Sequence, residues 1–196
     1  MASMSTRPSN WNAPNVITGV RILATPFFIW MLLADDGRMG PWRWAAALFF
    51  FAAIATDAWD GHLARSRGLV TDLGKLLDPI ADKFLTGAAF ICLSLLGELP
   101  WWITIVVLVR ELGVTVHRLF EARTVVVAAA WMGKLKTVAQ SLAIMLALMP
   151  LPAVWGEWMH WVNIATMSIA VGLTVLSGID YIINAVRLRR TPNTEA

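Results

Sequence analysis

The chain has 196 residues, 58% of them hydrophobic and only 15% charged, with a mean hydropathy of +0.63. A water-soluble domain of this length seldom reaches such values, so the composition points to a polytopic membrane protein with room for one compact domain. The formal charge of +3 does not describe a nucleic-acid binder, because the basic residues stand at the ends of apolar segments and not in one soluble patch.

Residues 1–10 (MASMSTRPSN) and the tail 191–196 are polar and are expected to be disordered, which leaves 11–190 as the transmembrane domain. Six apolar segments of spanning length follow, at about 15–34, 42–61, 78–97, 100–121, 134–151 and 159–186, each near the 17–25 residues that a bilayer core requires. The expected fold is therefore an all-α integral membrane protein with six transmembrane helices. The first segment opens with PNVITGVR, and Arg21 lies too deep in the apolar run for hydrocarbon. This predicts an N-terminal interfacial lead-in over Asn15 to Arg21, with a kink at Pro26 further on. The segment is too long for a signal-peptide core and has no small-residue cleavage pattern after it. Cys92 is the single cysteine; no intramolecular disulfide is possible, and it reads as a packing residue.

Loop charge assigns an orientation. The connections 35–41, 97–100 and 152–158 carry one basic residue, Arg38, with Arg43 just inside the second segment, while Arg7, Arg21, Arg65, Arg67, Lys75, Arg118, Arg123, Lys134, Lys136, Arg187, Arg189 and Arg190 stand at the opposite ends. Both termini and the site are therefore expected on the cytoplasmic side of the cell membrane. Trp42, Trp44, Trp101, Trp102, Trp155, Trp158 and Trp161 fall at the other boundary, as an aromatic belt would.

The stretch from Asp57 to Asp82 carries five of the 13 acidic residues: Asp57, Asp60, Asp72, Asp78 and Asp82. On helices, Asp57 and Asp60 share one face, and Asp78 and Asp82 form a second pair one turn apart. Four carboxylates in a low-dielectric site need protons or cations to neutralise them, and all-oxygen donors suit hard divalent ions. Asp72 reads as a solvated loop residue. Asp78 before Pro79 also has the form of an N-cap followed by proline at N1, a role that needs no metal.

Elsewhere, Arg110 and Glu111 interrupt the fourth segment at a depth where ionisable groups face a cavity or a partner charge. The simpler reading of Glu111 is a counter-ion to a neighbouring arginine. His62 and His117 lack the partners of a zinc ligand. Lys134 and Lys136 are about 200° apart on a helix, so both face one cavity only if the helix starts after Lys134. Asp180 receives no role.

The spacing D-x2-D-G-x2-A-R-x8-G-x3-D-x3-D is present in full at Asp57, Asp60, Gly61, Ala64, Arg65, Gly74, Asp78 and Asp82. It resembles the signature of the CDP-alcohol phosphatidyltransferases, integral-membrane enzymes of phospholipid synthesis. The blocks PNVITGVR, DAWDG, GKLLDPIADK, VRELGVTVHR and GKLKT are similar to the branch whose acceptor is sn-glycerol 3-phosphate. The resemblance implies the fold of that family and transfer of a phosphatidyl group from CDP-diacylglycerol with release of CMP. It also implies a homodimer, for which Gly87 and Ala88 would permit close helix packing, and two Mg²⁺ or Mn²⁺ ions held by Asp57, Asp60, Asp78 and Asp82, with Asp82 also taking the acceptor's proton. By the same resemblance, Asn15, Thr18, Asp57, Gly61, Ala64, Arg65 and Gly74 contact CDP-diacylglycerol, with Arg21 beside them. The acceptor's phosphate needs fixed positive charge, for which Arg110, Arg118, Lys134 and Lys136 are the candidates. Two alternatives compete: the same chemistry with inositol phosphate as acceptor, and an ion-coupled transporter, whose inverted halves and broken helices are not visible in this sequence.

Overall fold

The computed structural model describes residues 12–66, 71–120 and 130–190. Among these residues every regular element is helical: α1 (Ala13–Asp35), α2 (Pro41–Ser66), α3 (Asp72–Leu95), α4 (Trp101–Phe120), α5 (Ala130–Leu148), α6 (Leu151–Trp155) and α7 (Trp158–Arg190). The segments 1–10 and 191–196, expected to be disordered, lie outside the described residues. The helices fall into two compact units, one built on α1–α3 with Leu148–Pro150, the other on α4, α5 up to Ala147, α6 and α7.

In the first unit α1 packs along both α2 and α3. Its buried residues Asn15, Thr18, Arg21, Thr25, Phe28, Leu32 and Asp35 recur at helical spacing and draw one stripe down the helix. The upper part of that stripe is polar and the lower part mostly apolar. Phe28 is fully buried and stacks on Phe49 with ring centroids 5.8 Å apart. Ala46, Ala47 and Ala53 of α2 are buried too, small enough to let helix backbones approach.

The ends of these helices are fixed by side chains. Asn12 accepts from the backbone N–H of Asn15 at 3.0 Å and caps α1. After α1 the chain turns through Asp36 (φ 50°) and Gly37 (φ 69°), and the Asp35 carboxylate reaches across that turn. It accepts from the backbone N–H groups of Met39 (2.9 Å), Gly40 (2.8 Å) and Arg43 (3.2 Å), the last of which also reaches the Gly40 carbonyl at 3.1 Å. Arg43 is fully buried, and its Nε donates to the Leu148 carbonyl at 2.9 Å.

Three expectations change here. The lead-in over Asn15 to Arg21 is not a separate element but the first turns of α1, continuous with the rest of the helix. Its polar residues turn inward because partners wait there, as described below. The N-cap of α3 is Thr71, not Asp78: the Thr71 side chain accepts from the Gly74 N–H at 3.0 Å. Pro79 lies inside the helix, and Asp72 begins it. Gly87 and Ala88 are buried within this chain, where their small size permits the close helix packing expected of them.

In the second unit α4 and α6 pack against α7. Gln140 of α5 donates to Thr174 of α7 at 2.7 Å, and Thr174 donates to the Ala170 carbonyl at 2.6 Å. Both side chains are buried, and the bond between them pairs polar groups away from solvent. The connection expected at 152–158 contains the short helix α6, and Gly156 (φ 97°) breaks the chain before α7.

Polar side chains are buried beside the apolar core, and many large apolar ones face outward. Arg21, Arg43, Lys136 and Gln140 are buried, while Leu23, Leu48, Val109, Val138 and the belt tryptophans Trp42, Trp44, Trp101, Trp102, Trp155, Trp158 and Trp161 are exposed. Among the described residues two helices, Ala13–Asp35 and Trp158–Asn184, are long and apolar enough to cross a membrane, against the six segments expected. The intervening helices carry the charges of Asp57, Asp60, Asp78, Asp82, Arg110, Glu111, Lys134 and Lys136 along their lengths, which dilutes their hydropathy.

Candidate active site

The polar part of the α1 stripe meets the aspartates. Arg21 donates through Nη1 to Asp57 Oδ1 and through Nη2 to Asp60 Oδ2, the latter at 3.1 Å. Asp57 and Asp60 lie three residues apart on α2, which puts both carboxylates within the span of one guanidinium fork. The Arg21 side chain is 4% exposed and that of Asp60 6%, whereas Asp57 is 44% exposed. The pair is therefore closed on one side and open on the other.

Asp78 of α3 joins them from the next helix. The Thr18 hydroxyl lies 3.0 Å from Asp78 Oδ1 and 3.1 Å from the Pro14 carbonyl; its one proton serves one of the two at a time. The charges of Asp57 and Asp78 both act on Asp60. Asp82 follows Asp78 by one helical turn and is half-buried, and its carbonyl accepts from the Thr86 hydroxyl at 2.8 Å. One stretch of α1 thus touches carboxylates on both neighbouring helices.

The other nucleotide-site candidates divide. Asn15 Nδ2 donates to Thr71 Oγ1 at 2.7 Å, which ties the start of α1 to the cap of α3. Gly74 is needed for that contact: a Cβ there would lie 2.5 Å from Asn15 Oδ1 and 3.3 Å from Thr71 Oγ1. Its lack of a side chain serves a helix–helix approach that the sequence reading assigned to the nucleotide. Gly61 is half-buried, one residue after Asp60. The side chains of Ala64 and Arg65 lie outside the described residues.

The expected acceptor residues sit in the second unit and separate as well. Glu111 is buried and accepts through Oε1 from Lys136 Nζ and, at 3.0 Å, from Arg110 Nη1. Arg110 Nη2 also donates to Ser177 Oγ at 3.0 Å. Glu111 is thus a counter-ion, but to a lysine 25 residues away as well as to its neighbour. Lys136 is buried and Lys134 exposed, because α5 already starts at Ala130 and the two lysines face different ways. The structure does not bring Lys134 to this cluster. The Arg118 side chain lies outside the described residues. Asp180 accepts from Asn184 at 3.2 Å.

Sequence reasoning missed Thr71, Asp35 and Arg43. The first had a visible signal, a threonine three residues before a glycine at a helix start; the buried position of Arg43 had none.

The donors of the first unit fit a hard divalent cation in kind, since all are carboxylate oxygens and two of them share one guanidinium. In arrangement, no three acidic, histidine or cysteine side chains among the described residues close on an ion. The position between Asp57 and Asp60 is taken by Arg21.

This constellation can be set beside known proteins. Residues 11–175 match the family model for CDP-alcohol phosphatidyltransferase. A protein of Mycobacterium tuberculosis named probable phosphatidylglycerophosphate synthase is 44% identical over 176 residues, covering 90% of this chain and 82% of its own. CDP-diacylglycerol–glycerol-3-phosphate 3-phosphatidyltransferases of Bacillus subtilis and Escherichia coli are 40% and 33% identical, covering 87% and 88% of this chain and 93% of their own in each case. With the model spanning both units, and with the eight signature positions carried by α2 and α3, the chain belongs to the CDP-alcohol phosphatidyltransferase family.

Proposed function

We propose that this chain is a CDP-diacylglycerol–glycerol-3-phosphate 3-phosphatidyltransferase, forming phosphatidylglycerophosphate and CMP. The observation that carries the reading is the meeting of Asp57 and Asp60 on α2 and Asp78 on α3 around one polar stretch of α1, in a chain whose named relatives carry that activity.

In the reaction, an acceptor hydroxyl oxygen forms a bond to the phosphorus bearing the diacylglycerol. The bond from that phosphorus to the CMP oxygen breaks, and the hydroxyl proton leaves. Asp82 takes that proton. It stands one turn beyond Asp78, which Thr18 orients, so proximity compensates for the weak basicity of a carboxylate. Asp57, Asp60, Asp78 and Asp82 would hold Mg²⁺ or Mn²⁺, two ions by family resemblance, which supply positive charge to the diphosphate when bound. Asn15, Thr18, Gly61, Ala64, Arg65 and Gly74 border the donor, Gly74 by way of the α1–α3 contact. The acceptor's phosphate is assigned to Arg110, Lys136 and Arg118. Lys136 and Arg110 bring positive charge to one place beside Glu111, which suits an anion.

The protein is multi-pass, with six spans and with its termini and site on the cytoplasmic side. The outward apolar faces and the loop charge support this. Family resemblance further supports a homodimer.

One experiment tests activity and orientation together. Sealed inverted and right-side-out vesicles carrying CDP-diacylglycerol receive external glycerol 3-phosphate or inositol phosphate, and CMP is measured with the lipid product. Inverted vesicles should release CMP with glycerol 3-phosphate only. Activity with inositol phosphate alone would change the acceptor, activity confined to right-side-out vesicles would reverse the topology, and no CMP in either with wild-type protein would sink the enzyme reading.

A further inference from the structure

The cation found among the aspartates is a side chain of the protein itself, and it sits where a metal would compete with it. Arg21 uses Nη1 on Asp57 and Nη2 on Asp60, the two α2 carboxylates that the family reading gives to metal. Its Nε is buried and meets no acceptor among the described residues. A guanidinium placed only to neutralise a permanent ion pair would be expected to satisfy its buried N–H groups. Here one donor is left over, and one of its two carboxylates opens to the outside.

We propose that Arg21 is a resident counter-cation that holds Asp57 and Asp60 together in the metal-free protein and competes with divalent ions for their oxygens. This rests on the reading that those carboxylates take metal. The argument is electrostatic. Asp60 is almost fully buried, and the charges of Asp57 and Asp78 both act on it, so without a cation the two α2 carboxylates would repel in a medium that screens them weakly. Arg21 supplies that cation from α1, whose first turns are anchored by Asn15 on Thr71 and by Thr18 on Asp78. A divalent ion carries twice the charge and would draw on the same two carboxylates, Asp57 and Asp60, that the guanidinium holds. Metal affinity is therefore reduced by the work of displacing Arg21. In return, the metal-free state keeps its helices packed. Arg21 acts as a positioning residue whose effect reaches chemistry through the aspartates.

The test is direct ion binding, with no turnover involved. Full-length wild type, Arg21→Met and Arg21→Lys are purified in detergent; Mn²⁺ binding is followed by the spin-resonance signal of the free ion, and thermal unfolding is recorded with and without Mn²⁺. Arg21→Met should unfold at a lower temperature without metal, bind Mn²⁺ about tenfold or more tightly than wild type, and recover most of the lost thermal stability when Mn²⁺ is present. Arg21→Lys retains one charge but loses the fork, so it should fall between the two; it also serves if Arg21→Met fails to fold. Equal loss of thermal stability with and without Mn²⁺, or Mn²⁺ affinity unchanged or weakened in both variants, would overturn the proposal and leave the metal reading standing. Absence of Mn²⁺ binding in wild type would overturn both.

Discussion

The two units balance buried charge in opposite senses. In the first, Asp57, Asp60 and Asp78 gather near a single arginine. In the second, Arg110 and Lys136 converge on a single glutamate. Ionisable groups at such depth are costly unless paired, and both clusters are paired. The residues named in the first cluster are mostly acidic and those in the second mostly basic. On the proposed reading, the first suits cations and the second an anion. In the proposed reaction the first should therefore act on the chemical step and the second on the acceptor's affinity, a division that kinetics can break.

The largest effect expected is at Asp82. Asp82→Asn keeps the size and an oxygen ligand but removes the proton acceptor. Turnover should fall by about 10²–10⁴-fold, with CDP-diacylglycerol binding and the KM for glycerol 3-phosphate nearly unchanged. Turnover and nucleotide-lipid binding across a Mn²⁺ titration check this. If excess Mn²⁺ returns Asp82→Asn to near wild-type turnover, Asp82 is a ligand only, and the first cluster contributes charge without proton transfer.

The second cluster should respond in KM. Lys136→Met removes a buried cation that Glu111 holds in place, and the apparent KM for glycerol 3-phosphate should rise about ten- to a hundred-fold, the worth of one charge-assisted contact. Lys134→Met, two residues away but exposed, should change it by less than about threefold. A fall in thermal stability with unchanged acceptor kinetics in Lys136→Met would make the cluster purely structural and end the comparison drawn above.

Much of this was legible in the sequence because carboxylates in an apolar chain are expensive and their spacing is specific. Helices stand at all six expected places, although among the described residues only α1 and α7 carry the apolar length of a span. The neutralising cation was harder to see. Arg21 lies 36 and 39 residues from its partners, and hydropathy counts it as a misfit in a span, hence the interfacial lead-in. What hydropathy cannot register is that Asn15, Thr18, Arg21 and Thr25 share one face and find their partners inside. The start of α3 was hidden by Pro79, which looks like a first-turn residue although the helix begins at Asp72. Lys134 and Lys136 could be separated only by knowing where α5 begins.

The smallest effect expected distinguishes two explanations of Gly74. If Gly74 is small so that α1 can approach, Gly74→Ala places a Cβ 2.5 Å from Asn15 Oδ1, an atom held by the bond from Asn15 to Thr71. Overpacking of this kind costs about 1–3 kcal/mol. Gly19 of α1 meets nothing within 4 Å of an added Cβ, so Gly19→Ala should be neutral or stabilise by about 0.5–1 kcal/mol. The double variant Gly74→Ala with Asn15→Ala removes the obstructing amide as well as the bond to Thr71. Its loss should be smaller than the sum of the two single losses, a coupling that a helix–helix contact requires. Reversible unfolding in detergent provides the energies, and the KM for CDP-diacylglycerol provides the control. Should Gly74→Ala unfold like wild type while that KM rises several-fold, the glycine makes room for the nucleotide, and the α1–α3 contact tolerates a methyl group where the geometry says it does not.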